Sequence, residues 1–282
     1  MNTTSNNSSN TTLVLGASGK TGRRVLERLE ARGVPTIAGS RSGEPPFDWD
    51  DRATWEPVLR GATAAYISYF PDLAVPGAAD TVGAFAELAV RHGVERLVLL
   101  SGRGEEEAER AERLVLAAHP AATIVRCSWF AQNFDEGYML EYVLAGEVTL
   151  PVGAVGEPFV DTDDIADVAV AALTEDGHEG QLYELTGPRL LRFDEAVGEI
   201  AAAAGRPVRF VSLPADEFEA GMREQQVPDD SIWLMNYLFS ELLDGRNASI
   251  TDGVQRALGR APRDFADYAR DAAATGVWDP AR

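Results

Sequence analysis

Short apolar runs alternate with stretches of helical period along the first half of the chain. Leu13 to Leu15 form an apolar run of the buried-strand type. After a glycine-rich turn, Val25, Leu26 and Leu29 fall on one helical face, and Gly33 is placed to end that helix. "VPTIAGS" reads as a second strand, followed by Arg41 and a turn-rich stretch. "AAYISYF" and "RLVLLSG" are apolar runs of strand length, separated by the helical pattern of residues 78–92. A charged helix around Glu105 to Ala118 precedes a further run, "ATIVRCSWF". Strands alternating with helices predict parallel crossovers, and hence an α/β fold with a doubly wound parallel sheet and helices on both faces.

The second half is less regular. "DDIADVAVAAL" predicts a helix with an acidic start, "QLYELTG" a strand, and Phe193 to Ala204 a helix. "PVRFVSLP" is strand-like but lies beyond the first sheet, and residues 215–275 read as mainly helical, with an aromatic cluster at Trp233, Tyr237 and Phe239. No internal repeat is present.

The first turn, "LVLGASGKTGRRV", carries the first chemical signal. A nucleotide-hydrolysing P-loop needs a glycine, four residues, then Gly-Lys-Ser/Thr. Gly19-Lys20-Thr21 supplies the end, but the first glycine would have to stand at Val14, inside the strand. Gly16-x-x-Gly19-x-x-Gly22 between strand and helix instead suits a dinucleotide. Gly16 would permit the sharp turn, Gly19 backbone approach to a pyrophosphate, and Gly22 close packing of helix on strand. The helix N-terminus adds free N–H groups and a partial positive charge. Ser18, Lys20 and Thr21 belong to the same loop. At the end of the second strand an acid would favour NAD, yet "AGSRSG" offers Ser40 and Arg41. An arginine there pairs with a 2′-phosphate, which selects NADP(H); a solvated loop arginine is the alternative.

Composition narrows the partners. The 282 residues carry a net charge of −20, which argues against nucleic acid and anionic membrane surfaces. Cys127 is the sole cysteine, and His92, His119 and His178 are the only histidines, so an internal disulfide is impossible and a Cys/His zinc site is not expected. Lys20 is the only lysine. "MNTTSNNSSNTT" lacks the charged start and apolar segment of a signal peptide, so residues 1–12 are expected to be a disordered tail. No apolar run approaches membrane-spanning length, and a cytoplasmic location is expected. The expected organisation is an NADP-binding domain over 13–150. Residues 151–282 would supply the remaining sheet elements and a smaller, interleaved, mainly helical substrate-side subdomain.

Several segments together resemble the NmrA-like branch of atypical short-chain dehydrogenase/reductases, and within it the festuclavine synthase and agroclavine dehydrogenase family. They are "LVLGASGKTG", "FDWDDRATW", "VLLSG", "RCSWFAQNF", "PFVDTDDIADVA" and "LTGPRLLRFDEAVGEI", spanning about residues 13–270. The resemblance implies a Rossmann fold. It places Asp48 and Trp49 at a third strand's end flanking an adenine, and Ser68, Tyr69 and Phe70 along the cofactor beyond a fourth strand. Ser101 and Gly102 would end a fifth strand near the nicotinamide. Cys127, Ser128, Trp129 and Phe130 would follow a sixth and border nicotinamide and substrate. Trp49 and Phe130 as plain core, and Asp48 as a turn residue, stay open, as does the choice between structural and functional roles for Arg126 and Asn133. The acids of "DTDDIADVA" are expected to cap a helix and hold loops. Two departures affect the substrate side: Arg126-Cys127 stands where relatives often have Arg-Pro, and "SGRGEEEAERAER" is short and acidic.

Short-chain reductases of the usual kind protonate a developing alkoxide with a tyrosine whose pKa is lowered by a lysine four residues on. Here the only lysine sits in the glycine loop, and Glu106 and Arg110 have that spacing instead. Hydride transfer to an activated acceptor survives: an iminium or imine, a quinone or an enone, with the protein supplying proximity, orientation and a dry pocket. Ser101 or Tyr69 would donate a hydrogen bond. The second reading is a non-catalytic NADP-binding redox sensor that acts through a protein partner, for which the cluster near Trp233 would be an exposed surface rather than a substrate lid. A small-molecule substrate, and a homodimer or monomer, complete the expectations.

Overall fold

The computed structural model describes residues 11–280. Its first half runs β1 (Thr11–Leu15), α1 (Lys20–Ala31), β2 (Thr36–Gly39), a short α2 (Trp55–Leu59), β3 (Ala62–Ile67), α3 (Ala78–Arg91), β4 (Arg96–Gly102), α4 (Glu106–Ala118) and β5 (Thr123–Cys127). The second half adds α5 (Met139–Ala145), β6 (Glu147–Leu150), β7 (Gly156–Glu157), α6 (Thr162–Thr174), β8 (Leu182–Leu185), β9 (Leu191–Arg192), α7 (Phe193–Ala204) and β10 (Arg209–Ser212). Helices α8 (Ala215–Glu224), α9 (Asp229–Asn236), a π-helical turn (Tyr237–Leu242), α10 (Gly253–Leu258) and α11 (Phe265–Ala274) complete it.

Six strands form one sheet in the order β2-β1-β3-β4-β5-β8, every pairing parallel. The order steps outward in both directions from β1 and β3, so a crevice opens beyond their carboxyl ends, where open α/β sheets bind ligands. Leu13, Val14 and Leu15 have no exposed surface, as a strand covered on both faces requires. Burial of each contributes about 1.5–3 kcal/mol. One face is covered by α3 and α4 through Val82, Phe85 and Val115; the other by α1 and α6 through Val25, Leu29 and Ile165. A separate core, built on Phe134, Phe159, Phe193, Phe239 and Phe265, joins α5, α7, α11 and the π-helical turn.

The acids of the "DTDDIADVA" stretch hold the layers together. Asp161 caps α6 by accepting the Asp163 amide at 2.8 Å. Asp164, fully buried, pairs with Arg260 and Arg263, and Asp167 pairs with Arg28, Arg260 and Arg263. β10 pairs parallel to β6 outside the main sheet, as "PVRFVSLP" predicted.

Two expectations are corrected. Thr11 and Thr12, assigned to a disordered tail over 1–12, belong to β1, because the Thr12 amide donates to Pro35 O at 2.9 Å and Thr12 pairs with Thr36. The rest of that tail lies outside the described residues. The strand expected before Asp48 is a loop. Asp48 bridges only to Asp51 and bonds Thr54, so the segment satisfies its backbone locally and β2 remains the sheet edge among the described residues.

Candidate active site

A cleft of about 750 Å³ opens at the carboxyl ends of the strands, and every proposed site residue except Gly22 lines it. The glycine loop brings Gly16, Ser18, Gly19, Lys20 and Thr21. The loops after β2 bring Arg41, Asp48 and Trp49, and the end of β3 brings Ser68, Tyr69 and Phe70. Ser101 and Gly102 end β4, and Cys127 to Phe130 follow β5.

The loop geometry fits an anionic ligand. Gly16 has φ +66°, a left-handed conformation that glycine adopts without a Cβ penalty, and its carbonyl accepts the Gly19 amide at 2.8 Å. Gly22 does not line the cleft, but a Cβ there would overlap the Gly16 carbonyl. It sets the close approach of α1 to the turn. No side chain caps α1, and no acid occupies its first turn, so its N-terminal amides face the cleft unopposed. Burial lowers the Lys20 pKa against the opposing pull of Glu136 and Asp135. Burial works against Glu136 too, but hydrogen bonds from Arg24 and Arg23 hold its carboxyl at about 2.

Arg41 is exposed, pairs with no carboxylate among the described residues, and lies 5.8 Å from the Phe70 ring. Asp48 behaves as a turn residue: its Oδ1 accepts the Asp50 amide at 3.1 Å and its carbonyl accepts Trp55 Nε1 at 2.9 Å. Trp49 donates Nε1 to the Ser68 carbonyl at 3.3 Å and packs against Phe47 and Tyr69, with ring centroids 4.9 and 5.0 Å away. It is thus both aromatic core and cleft wall.

Of the two expected hydrogen-bond donors, Ser101 is committed elsewhere, and Tyr69 lines the cleft as a neutral phenol. The Ser101 hydroxyl donates to Glu112 Oε1 at 2.6 Å inside the protein, and Glu112 also takes the Arg126 guanidinium. Ser101 and Arg126 therefore act as partners of a buried carboxylate. Tyr69 is raised above the usual phenol range by burial and by Asp50, the reverse of a tyrosine activated by lysine. Arg110 is turned to Asp80 and Glu107, so the Glu106–Arg110 spacing builds no cleft pair. Burial pushes the Cys127 thiol well up, which leaves it an unreactive thiol.

The cleft also contains residues that sequence reasoning missed. Leu234, Leu238, Leu242 and Leu243 form an apolar wall, while Phe239 turns into the core and Trp233, stacked on Tyr237 at 5.6 Å, stays 44% exposed. Glu157 is buried, accepts the Trp129 amide at 3.2 Å, and is raised to about 7 by burial. Asp72 and Glu105 also line the cleft. Ser128 Oγ and Trp129 Nε1 are buried without a partner among the described residues, which leaves them free for a ligand. Ser128 and Trp129 were expected here from the resemblance; for Glu105 the only sequence signal was the acidic run after Gly102.

A parallel sheet with a glycine-loop helix N-terminus at its crevice defines a Rossmann dinucleotide-binding protein. No protein-family model matches the chain. Agroclavine dehydrogenase of Claviceps fusiformis is 30% identical over 279 residues, covering 93% of this chain and 96% of the relative. An NAD(P)H azoreductase of Xenophilus azovorans is 31% identical, covering 87% and 85%. The structure of Citrobacter sp. triphenylmethane reductase complexed with NADP(H) superposes with a TM-score of 0.76 at 18% identity, over 92% of this chain and 99% of that one. The chain belongs to the NmrA-like branch of atypical short-chain dehydrogenase/reductases, together with the agroclavine and festuclavine dehydrogenases, and is an oxidoreductase.

Proposed function

We propose that the protein transfers hydride from NADPH to an activated small-molecule acceptor: an iminium or imine, or a conjugated quinone or enone. The observation that carries this reading is that one cleft is lined by a glycine turn, an uncapped helix N-terminus, an Arg41 without a carboxylate partner among the described residues, and a four-leucine wall. Gly16, Ser18, Gly19, Lys20 and Thr21 would hold the pyrophosphate, and Arg41 the 2′-phosphate. Asp48, Trp49, Ser68, Tyr69 and Phe70 would line the adenosine and ribose side. Ser101, Gly102 and Cys127 to Phe130 would border the nicotinamide. Bound there, the cofactor supplies the hydride. The chain's own residues position the acceptor over it and exclude water through the leucines and Trp129.

With Ser101 bonded to Glu112 and Tyr69 raised, the acceptor's electrophilicity carries more of the barrier than in a tyrosine–lysine enzyme. An iminium carbon accepts hydride to give a neutral amine, without an oxyanion. The test is NADPH oxidation with a matched cyclic iminium and cyclic ketone at saturating cofactor; faster turnover of the ketone would reject the reading. The exposed, stacked Trp233 and Tyr237 support a second reading, an NADP-binding sensor with a protein partner. It takes precedence if neither acceptor reacts and a partner binds only with NADP present.

A further inference from the structure

Two carboxyl groups that line the cleft have no part in hydride transfer alone. Glu105 sits between the end of β4 and the start of α4 and is 7% exposed. Its carboxyl folds back over β4, and a Cβ at Gly102 would overlap it. Asp72, in the loop after β3, is half-buried; its Oδ1 accepts the Ala74 amide at 2.8 Å, and its carboxyl meets that of Glu105. Both line the cleft, beside Ser101 and Gly102.

Glu105 Oε2 has no donor among the described residues. Two ionised carboxylates offer each other only acceptors, so this contact becomes a hydrogen bond only when one of them carries a proton. The groups facing the pair do not relieve it. Glu112 of α4 adds negative charge, and the Cys127 thiol of β5 and the Tyr237 phenol are neutral. The adjacent Arg103 is turned away to Glu184, Asn247 O and Ser249. Burial first, and then Asp72, raise the Glu105 carboxyl well above the usual range, and burial raises Asp72. The pair keeps a proton where exposed carboxyls have lost theirs.

We propose that Glu105, paired with Asp72, is the proton donor of this active site, and that it extends the reaction to neutral conjugated acceptors. This rests on the hydride-transfer reading above. With an enone, hydride forms a C–H bond at the β-carbon and the conjugated electron pairs shift to the carbonyl oxygen. The Glu105 O–H bond breaks, its proton goes to that oxygen, and NADPH leaves as NADP⁺. The Glu105 carboxylate regains a proton from water through Asp72, the more exposed member of the pair. An iminium ion needs no proton and bypasses Glu105.

The test combines a spectroscopic and a kinetic readout. In a difference infrared spectrum of wild type minus Glu105→Gln near neutral pH, the carbonyl stretch of a protonated carboxylic acid is expected; its absence overturns the proposal. At saturating NADPH, Glu105→Gln should slow a cyclic enone by about 100-fold or more, the usual scale of general acid catalysis, and leave a cyclic iminium nearly unchanged. Glu105→Asp should recover part of the loss. Asp72→Asn removes the neighbouring charge, so the fall of enone turnover at high pH should move to lower pH. Equal losses for both acceptors, no loss, or an unmoved pH profile would each overturn the donor role. An iminium reduced while the wild type refuses the enone overturns the donor alone. Refusal of both acceptors refutes the hydride-transfer reading, and the donor role falls with it.

Discussion

Replacing Arg41 with alanine should separate the two nicotinamide cofactors. The guanidinium is exposed, has no carboxylate partner among the described residues, and rests 5.8 Å from the Phe70 ring. Its removal therefore breaks no internal ion pair, and the fold should be unaffected. A hydrogen bond to a charged group is worth about 1.5–3 kcal/mol. Solvent screening at an exposed site moves the expectation to the lower end, about 1.5 kcal/mol, or roughly 10-fold in affinity. The Arg41→Ala variant should weaken NADPH by that factor and leave NADH nearly unchanged, because only NADPH carries the 2′-phosphate. Titration of each cofactor by protein fluorescence gives both dissociation constants. Because the effect is ionic, the NADPH loss should also shrink as salt is raised. Equal losses for the two cofactors, or none, would refute the assignment of the 2′-phosphate to Arg41.

Lys20→Met should raise the NADPH dissociation constant yet leave turnover close to wild type at saturating cofactor; collapsed turnover with unchanged binding would assign the lysine to proton transfer. Ser101→Ala removes a 2.6 Å hydrogen bond to buried Glu112, so thermal denaturation should show a loss of about 1.5–3 kcal/mol with little change in iminium turnover. A large kcat loss at unchanged stability would restore Ser101 to a direct role. Glu157 is raised by burial from 4.5 to about 7. Between those values the folded state binds more protons than the unfolded one, so stability falls as pH rises and the loss is complete above about 7, amounting to about 3 kcal/mol. Glu157→Gln should flatten that part of the melting-temperature profile, and an unchanged slope would contradict it.

The first half of the fold was legible because its signals are local. The runs at Leu13, Thr36 to Gly39, Tyr66 and Leu97 to Leu100 are short, apolar and separated by helical periods, and each became a strand of the parallel sheet. The glycine spacing fixed where the cleft begins, and Gly22 carries the packing role its position suggested. The strand expected before Asp48 failed because Thr54 and Asp51 satisfy that loop from within, a choice that composition does not reveal. Ser101 stands at the expected edge of the cleft, yet its proton points to Glu112, eleven residues on and across a helix–strand contact. Glu105 was hidden in an acidic run that reads as a solvated helix start. Its carboxyl instead folds back onto Gly102 and meets Asp72 from a different loop, contacts that only the tertiary structure makes.

The central claim is hydride transfer within this cleft, and deuterium transfer tests it most directly. The protein would be supplied with NADPH carrying deuterium at both C4 positions of the nicotinamide and a cyclic iminium acceptor, and the amine product examined by mass spectrometry and NMR. The expected result is a single deuterium on the former iminium carbon, with formation of that labelled amine slowed in Lys20→Met at limiting NADPH and restored at saturation. Unlabelled product, or no oxidation of NADPH by any activated acceptor, would contradict it.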